Sequence, residues 1–177
     1  MAVRNIFTGL FCCILGGVLA AAQTSSSGGG DQKFLDFAAQ TDMTEAHLGQ
    51  LAAEQASGQE VKDFAQMLVT DHTADYQQLG MLATKAGATI PKGLDAQHAK
   101  MAASFEKLKG AAFDHRFARE MIVGHTKAIA EYKREAQDAQ SADVKAYASQ
   151  TLPTLEKHLQ AAQDLEKRKP MAKHGKM

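Results

Sequence analysis

Apolar residues recur every three or four positions along most of this chain, with polar residues filling the opposite side of the same helical wheel. From Lys33 to Ala56 the stripe is carried by Phe34, Ala38, Leu48 and Ala52, with Thr41 and Glu45 standing in it. From Glu60 to Ala86 it runs through Val61, Ala65, Leu68, His72, Tyr76, Leu79 and Ala83. A third long stripe, Asp114 to about Ala139, aligns Ala118, Met121, Ile122, His125, Ile129 and Tyr132, with Asp114 predicted as its N-cap. A fourth, from Ser141 to about Lys167, aligns Val144, Ala148, Thr151, Leu155, His158, Ala162 and Leu165. Pro153 lies inside it and is expected to kink the helix, because it removes one amide and crowds the preceding turn.

Short breaks separate these helices. Ser57-Gly58 ends the first, Gly87 follows the second as a C′ glycine, and a short helix is predicted from Asp95 to Lys109 before Gly110. That helix would be about 22 Å long, enough to return the chain along a bundle. The fold class expected is therefore all-α: a ferritin-like four-helix bundle, up-down-down-up, with a short crossover helix between the second and third long helices. A weak internal repeat agrees with two related hairpins, since Phe64-Ala65 and His72-Thr73 match Phe117-Ala118 and His125-Thr126 in spacing.

Residues 1–22 break the pattern. A basic start at Arg4, an apolar run from Ile6 to Leu19 and a small-residue end at Ala20-Ala21-Ala22 read as a cleaved signal peptide, and hence export. Leu10 and Phe11 ahead of Cys12 lack the small residues of a lipoprotein signal. Residues 23–32 read as a Ser/Gly-rich linker, 33–167 as the bundle domain and 168–177 as a disordered basic tail.

Composition supports this reading and removes others. The 177 residues are 45% hydrophobic but only 6% aromatic, too few for the strands of a β-sandwich. Twenty basic residues balance twenty acidic ones, which argues against a nucleic-acid partner. Both cysteines, Cys12 and Cys13, fall in the leader, so no disulfide framework is expected. No phosphate loop, nucleophile elbow or Cys–His pair is present, and no catalytic set is read.

What remains is the polar content of the core. Each long helix carries one ionisable residue within its apolar stripe: Glu45, His72, His125 and His158. The first three stand near mid-helix and His158 about 7 Å beyond it, so all four are expected near one level of the interior. Buried groups of this kind must pair, hydrogen-bond or bind a metal. Three imidazoles and a carboxylate suit Zn, Fe, Mn or Cu. The competing reading is a structural Glu–His hydrogen-bond network in a non-catalytic protein of the cell envelope. A di-iron centre is disfavoured, because Val69, Ile122 and Leu155 stand where Glu-x-x-His would need carboxylates. Asp71, Asp75, Glu120 and Glu156 lie off the stripe and read as solvated or as outer partners of the ligands. His98 is expected to be exposed. Met171, His174 and Met177 form a weaker soft-ligand set in the tail, suited to copper.

The stretches Phe64 to His72, Gly110 to Asp114, Met121 to His125 and Leu152 to His158 resemble the exported bacterial family of domain of unknown function 4142, over roughly residues 33–167. The resemblance implies a ferritin-like bundle in the periplasm, often described as an outer-membrane protein, with no established reaction. It sets Glu45, Asp71, His72, Asp114, His125 and His158 on the family's recurring polar positions. Gly124 is a departure, since the family often has an acid before this His.

Overall fold

Each of the four stripes closes into one long helix. The computed structural model describes residues 29–168, which form α1 (Gly29–Gln55), α2 (Gln59–Lys85), α3 (Ala96–Ala103), α4 (Gly110–Asp138) and α5 (Ala142–Lys167). The expected leader, most of the linker and the Met171/His174/Met177 set lie outside the described residues. Residues 29–32, expected as linker, already belong to α1. The reason is Asp31, whose buried carboxylate accepts from the amides of Gln140 and Ser141, both at 2.9 Å, and ties this end down.

Two such clamps fix the topology. Asp31 joins the start of α1 to the α4–α5 turn. At the other end Asp114 of α4 accepts from the amides of Ser57 and Gly58 and from the Ser57 hydroxyl, across the α1–α2 turn. Thus α1 and α4 run antiparallel, α2 and α4 parallel, and the order is up-down-down-up. The N-cap expected of Asp114 is corrected: α4 starts four residues earlier, at Gly110, capped by Lys109. The carboxylate instead ties down the α1–α2 turn, just ahead of α2. Gly87 does take a left-handed conformation (φ 66°), and the Ala88 amide returns to the Ala83 carbonyl at 2.8 Å. α5 passes through Pro153 without a break.

The crossover is a strap laid along α1 rather than a long helix. α3 stops at Ala103, where the expectation was Lys109. The chain turns there to bring Phe105 inward, fully buried against Phe113 and Phe117. Three glutamines of α1 hold the strap by its backbone: Gln32 to the Thr89 carbonyl, Gln40 to Gly93 and the Asp95 amide, and Gln55 to the Glu106 carbonyl. Tyr76 of α2 adds a bond to the Pro91 carbonyl. α1 and α2 approach so closely that a Cβ at Gly49 would lie 2.7 Å from Val69 Cγ2 and 2.9 Å from the Ala65 carbonyl.

The apolar core falls into two clusters. One, around Phe34, Leu79, Tyr132, Val144 and Leu155, fills the end holding the α4–α5 turn. The other, around Leu48, Phe64, Leu68, Phe113, Phe117 and Met121, fills the opposite end. Between them in each helix lies the polar residue of its stripe.

Candidate metal centre

All four residues singled out in the sequence meet in that layer. One nitrogen from each of His72, His125 and His158 lies within 4.8 Å of the others. Glu45 Oε2 sits 2.9 Å from His72 Nε2 and 3.1 Å from His125 Nε2, and His125 Nε2 lies 3.2 Å from His158 Nδ1. His158 is brought level with the rest by presenting Nδ1 inward, where the other two histidines present Nε2.

The outward nitrogens are all engaged. His72 Nδ1 meets the buried Asp42 carboxylate at 2.9 Å, His125 Nδ1 the Met121 carbonyl at 2.9 Å, and His158 Nε2 the Asp71 carboxylate at 2.9 Å. An acceptor at each outer nitrogen makes that nitrogen the N–H donor and leaves the inner one available as a lone pair. Of the inner atoms, His158 Nδ1 and His125 Nε2 meet each other, whereas those of Glu45 and His72 find no hydrogen bond. Glu45 Oε2 and His72 Nε2 are close enough for an ion pair, yet neither lies on a hydrogen-bonding line, and both are buried without a hydrogen-bond partner.

Charge follows the same geometry. Burial pulls the His72 imidazolium down, but Glu45 and Asp42 on either side outweigh it and raise His72 to about 10. Burial pushes Asp42 up to about 7 against the pull of His72. Burial likewise works to raise Glu45, yet the His125 and His72 imidazoles beside it outweigh that and hold it below the ordinary carboxyl range. His125 and His158 are lowered by burial, His158 to about 4 despite its bond to Asp71. Without a bound cation the layer is therefore an ion pair, Glu45 with His72, flanked by two neutral imidazoles.

Asp42 and the Met121 carbonyl were missed in the sequence. Asp42 is four residues past Ala38 and three before Glu45, a stripe position given there to Thr41, which is only half-buried. Asp71 is an outer partner, as one of its two readings held. Asp75 is half-buried and accepts from the Tyr147 hydroxyl at 2.8 Å, burial raising its pKa. Glu156 pairs at the surface with Lys133. His98 is three-quarters buried at its side chain and bonds Asp95 at 2.8 Å, which corrects its expected exposure.

The fold and layer define a class: a helical bundle with an inward-facing histidine–carboxylate cluster at mid-height. Within that class the chain belongs to the family described as domain of unknown function (DUF4142), whose sequence pattern matches residues 17–165. No curated protein matches it in sequence. Among solved structures it is similar to a DUF305 fragment from Deinococcus radiodurans, at 18% identity and a TM-score of 0.70 over 81% of this chain and 99% of that one. It is similar also to CopM in its Cu(II)-bound form, at 15% identity and 0.61 over 77% and 95%. A conserved hypothetical protein from Mycobacterium tuberculosis matches at 13% identity and 0.61 over 83% and 97%. At these identities the likeness is one of fold. No helix of the described residues is long and apolar enough to cross a membrane.

Proposed function

We propose that this protein binds one divalent transition-metal ion through His72, His125, His158 and Glu45. The single observation that carries the reading is the split between satisfied outer and unsatisfied inner atoms. Each imidazole is held from behind by an acceptor, the arrangement that orients metal-bound histidines. The inner contacts of 2.9, 3.1 and 3.2 Å approach the edge of a tetrahedron, about 3.3 Å for ligands some 2.0–2.1 Å from a central ion. A self-contained structural network would instead hold Glu45 Oε2 and His72 Nε2 by charge alone, with no hydrogen bond to either buried atom.

Three nitrogens and one carboxylate oxygen favour Zn(II) or Cu(II) over Fe or Mn, which seek more oxygen ligands. The four proposed ligand atoms include no sulfur, so the soft ions Cu(I) and Ag(I) are poorly matched. The structures of CopM carry Cu(II), Cu(I) and Ag, and copper therefore joins zinc as a probe. We take residues 1–22 to direct export, and the protein to serve as a metal-binding component of the periplasm or envelope. Metal analysis of untagged, exported protein is expected to find one ion per chain, and a His125→Ala variant to find none. Wild-type protein that binds neither Zn(II) nor Cu(II) more tightly than the variant would refute the reading and favour the structural network.

A further inference from the structure

The polar layer is reached from two sides of the bundle. Between α1, α3 and α4 a cavity of about 210 Å³ touches Glu45 and Gly124, with Phe37, Leu48, Met101 and Met121 in its wall. Between α2 and α5 a groove of about 540 Å³ reaches His72 and His158. Its wall carries Asp71, Asp75, Gln78 and Gln150, with Lys157 as its one lysine among the described residues.

Four observations in the groove converge. Asp71 and Asp75 stand one turn apart on the same face of α2. Asp75 is held in place from α5, accepting from Tyr147 at 2.8 Å and Thr151 at 3.4 Å. Asp71, 35% exposed, meets the groove with one side and His158 with the other. At the inner end lies His72, 2% exposed, with Nε2 lacking any hydrogen-bond partner.

We propose that the α2–α5 groove is a cation-binding vestibule, in which Asp71 and Asp75 first take a hydrated divalent ion and deliver it to the three imidazoles. This rests on the metal-centre reading above. A divalent ion travels with about six waters, roughly 180 Å³ at about 30 Å³ each. The groove holds that volume with room to spare and offers oxygen ligands as water is shed. The cavity on the other side is the smaller and the more apolar of the two, so it replaces less of the lost hydration. Two carboxylates between low-dielectric walls also concentrate cations and speed their association. An arriving cation offsets the cost that burial imposes on Asp75. Because a vestibule lies on the way both in and out, it changes loading and release by the same factor and leaves Kd unchanged.

The test is stopped-flow loading of metal-free full chain with Zn(II), and release to an excess of chelator, at low and high salt. Wild-type loading should slow steeply as salt rises. Asp75→Asn, which touches no histidine, should slow loading and release alike, on the order of tenfold at low salt, and flatten the salt dependence. Gln78→Lys, an exposed change on the groove wall, should do the same if Asp75→Asn folds poorly. Glu120→Gln, beside the opposite cavity, should change neither rate. Unaltered rates in both groove variants, a changed Kd in Asp75→Asn, or slowing in Glu120→Gln instead would each overturn the vestibule. Failure of the wild type to bind Zn(II) or Cu(II) at all would overturn the metal centre itself.

Discussion

Gly124 lies directly against the Glu45 carboxylate: a Cβ at this position would stand 2.8 Å from Glu45 Oε1. The absence of a side chain on α4 is what lets Glu45 reach across from α1 to His125. Gly124→Ala should therefore push the carboxylate off its two histidines. The helix itself gains from the change, by roughly 0.5–1 kcal/mol, so Zn(II) affinity is expected to fall about tenfold or more while metal-free stability holds or rises. Calorimetric titration beside a thermal melt checks both; a parallel loss of stability and affinity would contradict it.

Asp42 acts on the centre only through His72 Nδ1. Asp42→Asn keeps a possible acceptor but removes the charge, and outer partners of this type are worth about 10–100-fold in metal affinity. The expected outcome is weaker binding at unchanged stoichiometry. A competition titration with a chelator of known affinity measures it, and an unaltered constant would count against the role given to Asp42.

Opposed shifts set the pH response of the metal-free protein. His158 sits at about 4 in the fold against about 6.5 in the open chain, so the unfolded state protonates first and stability is lost as pH falls from about 6.5 to 4. The lowered His125 adds to that loss, while Asp42, raised to about 7, and Asp75, also raised by burial, oppose it. His72, raised to about 10, stabilises fully below about 6.5 and loses its contribution as pH climbs to 10. Stability should therefore fall as pH rises above about 6.5. With Zn(II) present that loss should move to higher pH, since the ion replaces the proton that His72 otherwise needs. Denaturant melts across pH 4–10, with and without metal, test both statements.

The Asp31 clamp predicts a stability effect with no binding effect. Asp31→Ala strips two backbone amides of their buried acceptor at the start of α5, a loss of about 2 kcal/mol. Tm should drop by roughly 4–8 °C, with Zn(II) stoichiometry intact. A fall in bound metal matching the fall in Tm would show that the two ends of the bundle are more tightly coupled than the geometry indicates.

The helices and the four central residues were legible because both are written in one period: a stripe of Ala, Leu and Val names its own ionisable exceptions. Asp42 was hidden by that device, since Thr41 and Asp42 are adjacent and a wheel read by eye accepts either. Asp114 was misread because a helix start is a local signal, whereas the amides it serves are 56 and 57 residues away in sequence. The shortened α3 has the same origin. Nothing within 95–109 says that Phe105 must turn inward; the rings that receive it, Phe113 and Phe117, belong to another helix.

The packing of α1 on α2 and of α4 on α5 divides the ligands evenly between two hairpins. Glu45 and His72 come from the first, His125 and His158 from the second, and neither hairpin owns a complete set. A bound ion would thus be a cross-link between the halves of the molecule, joining positions more than a hundred residues apart in a chain with no cysteine after Cys13. Unlike a disulfide, such a link is made and broken by the supply of metal rather than by oxidants. The rigidity of the whole bundle would then report how much metal surrounds it.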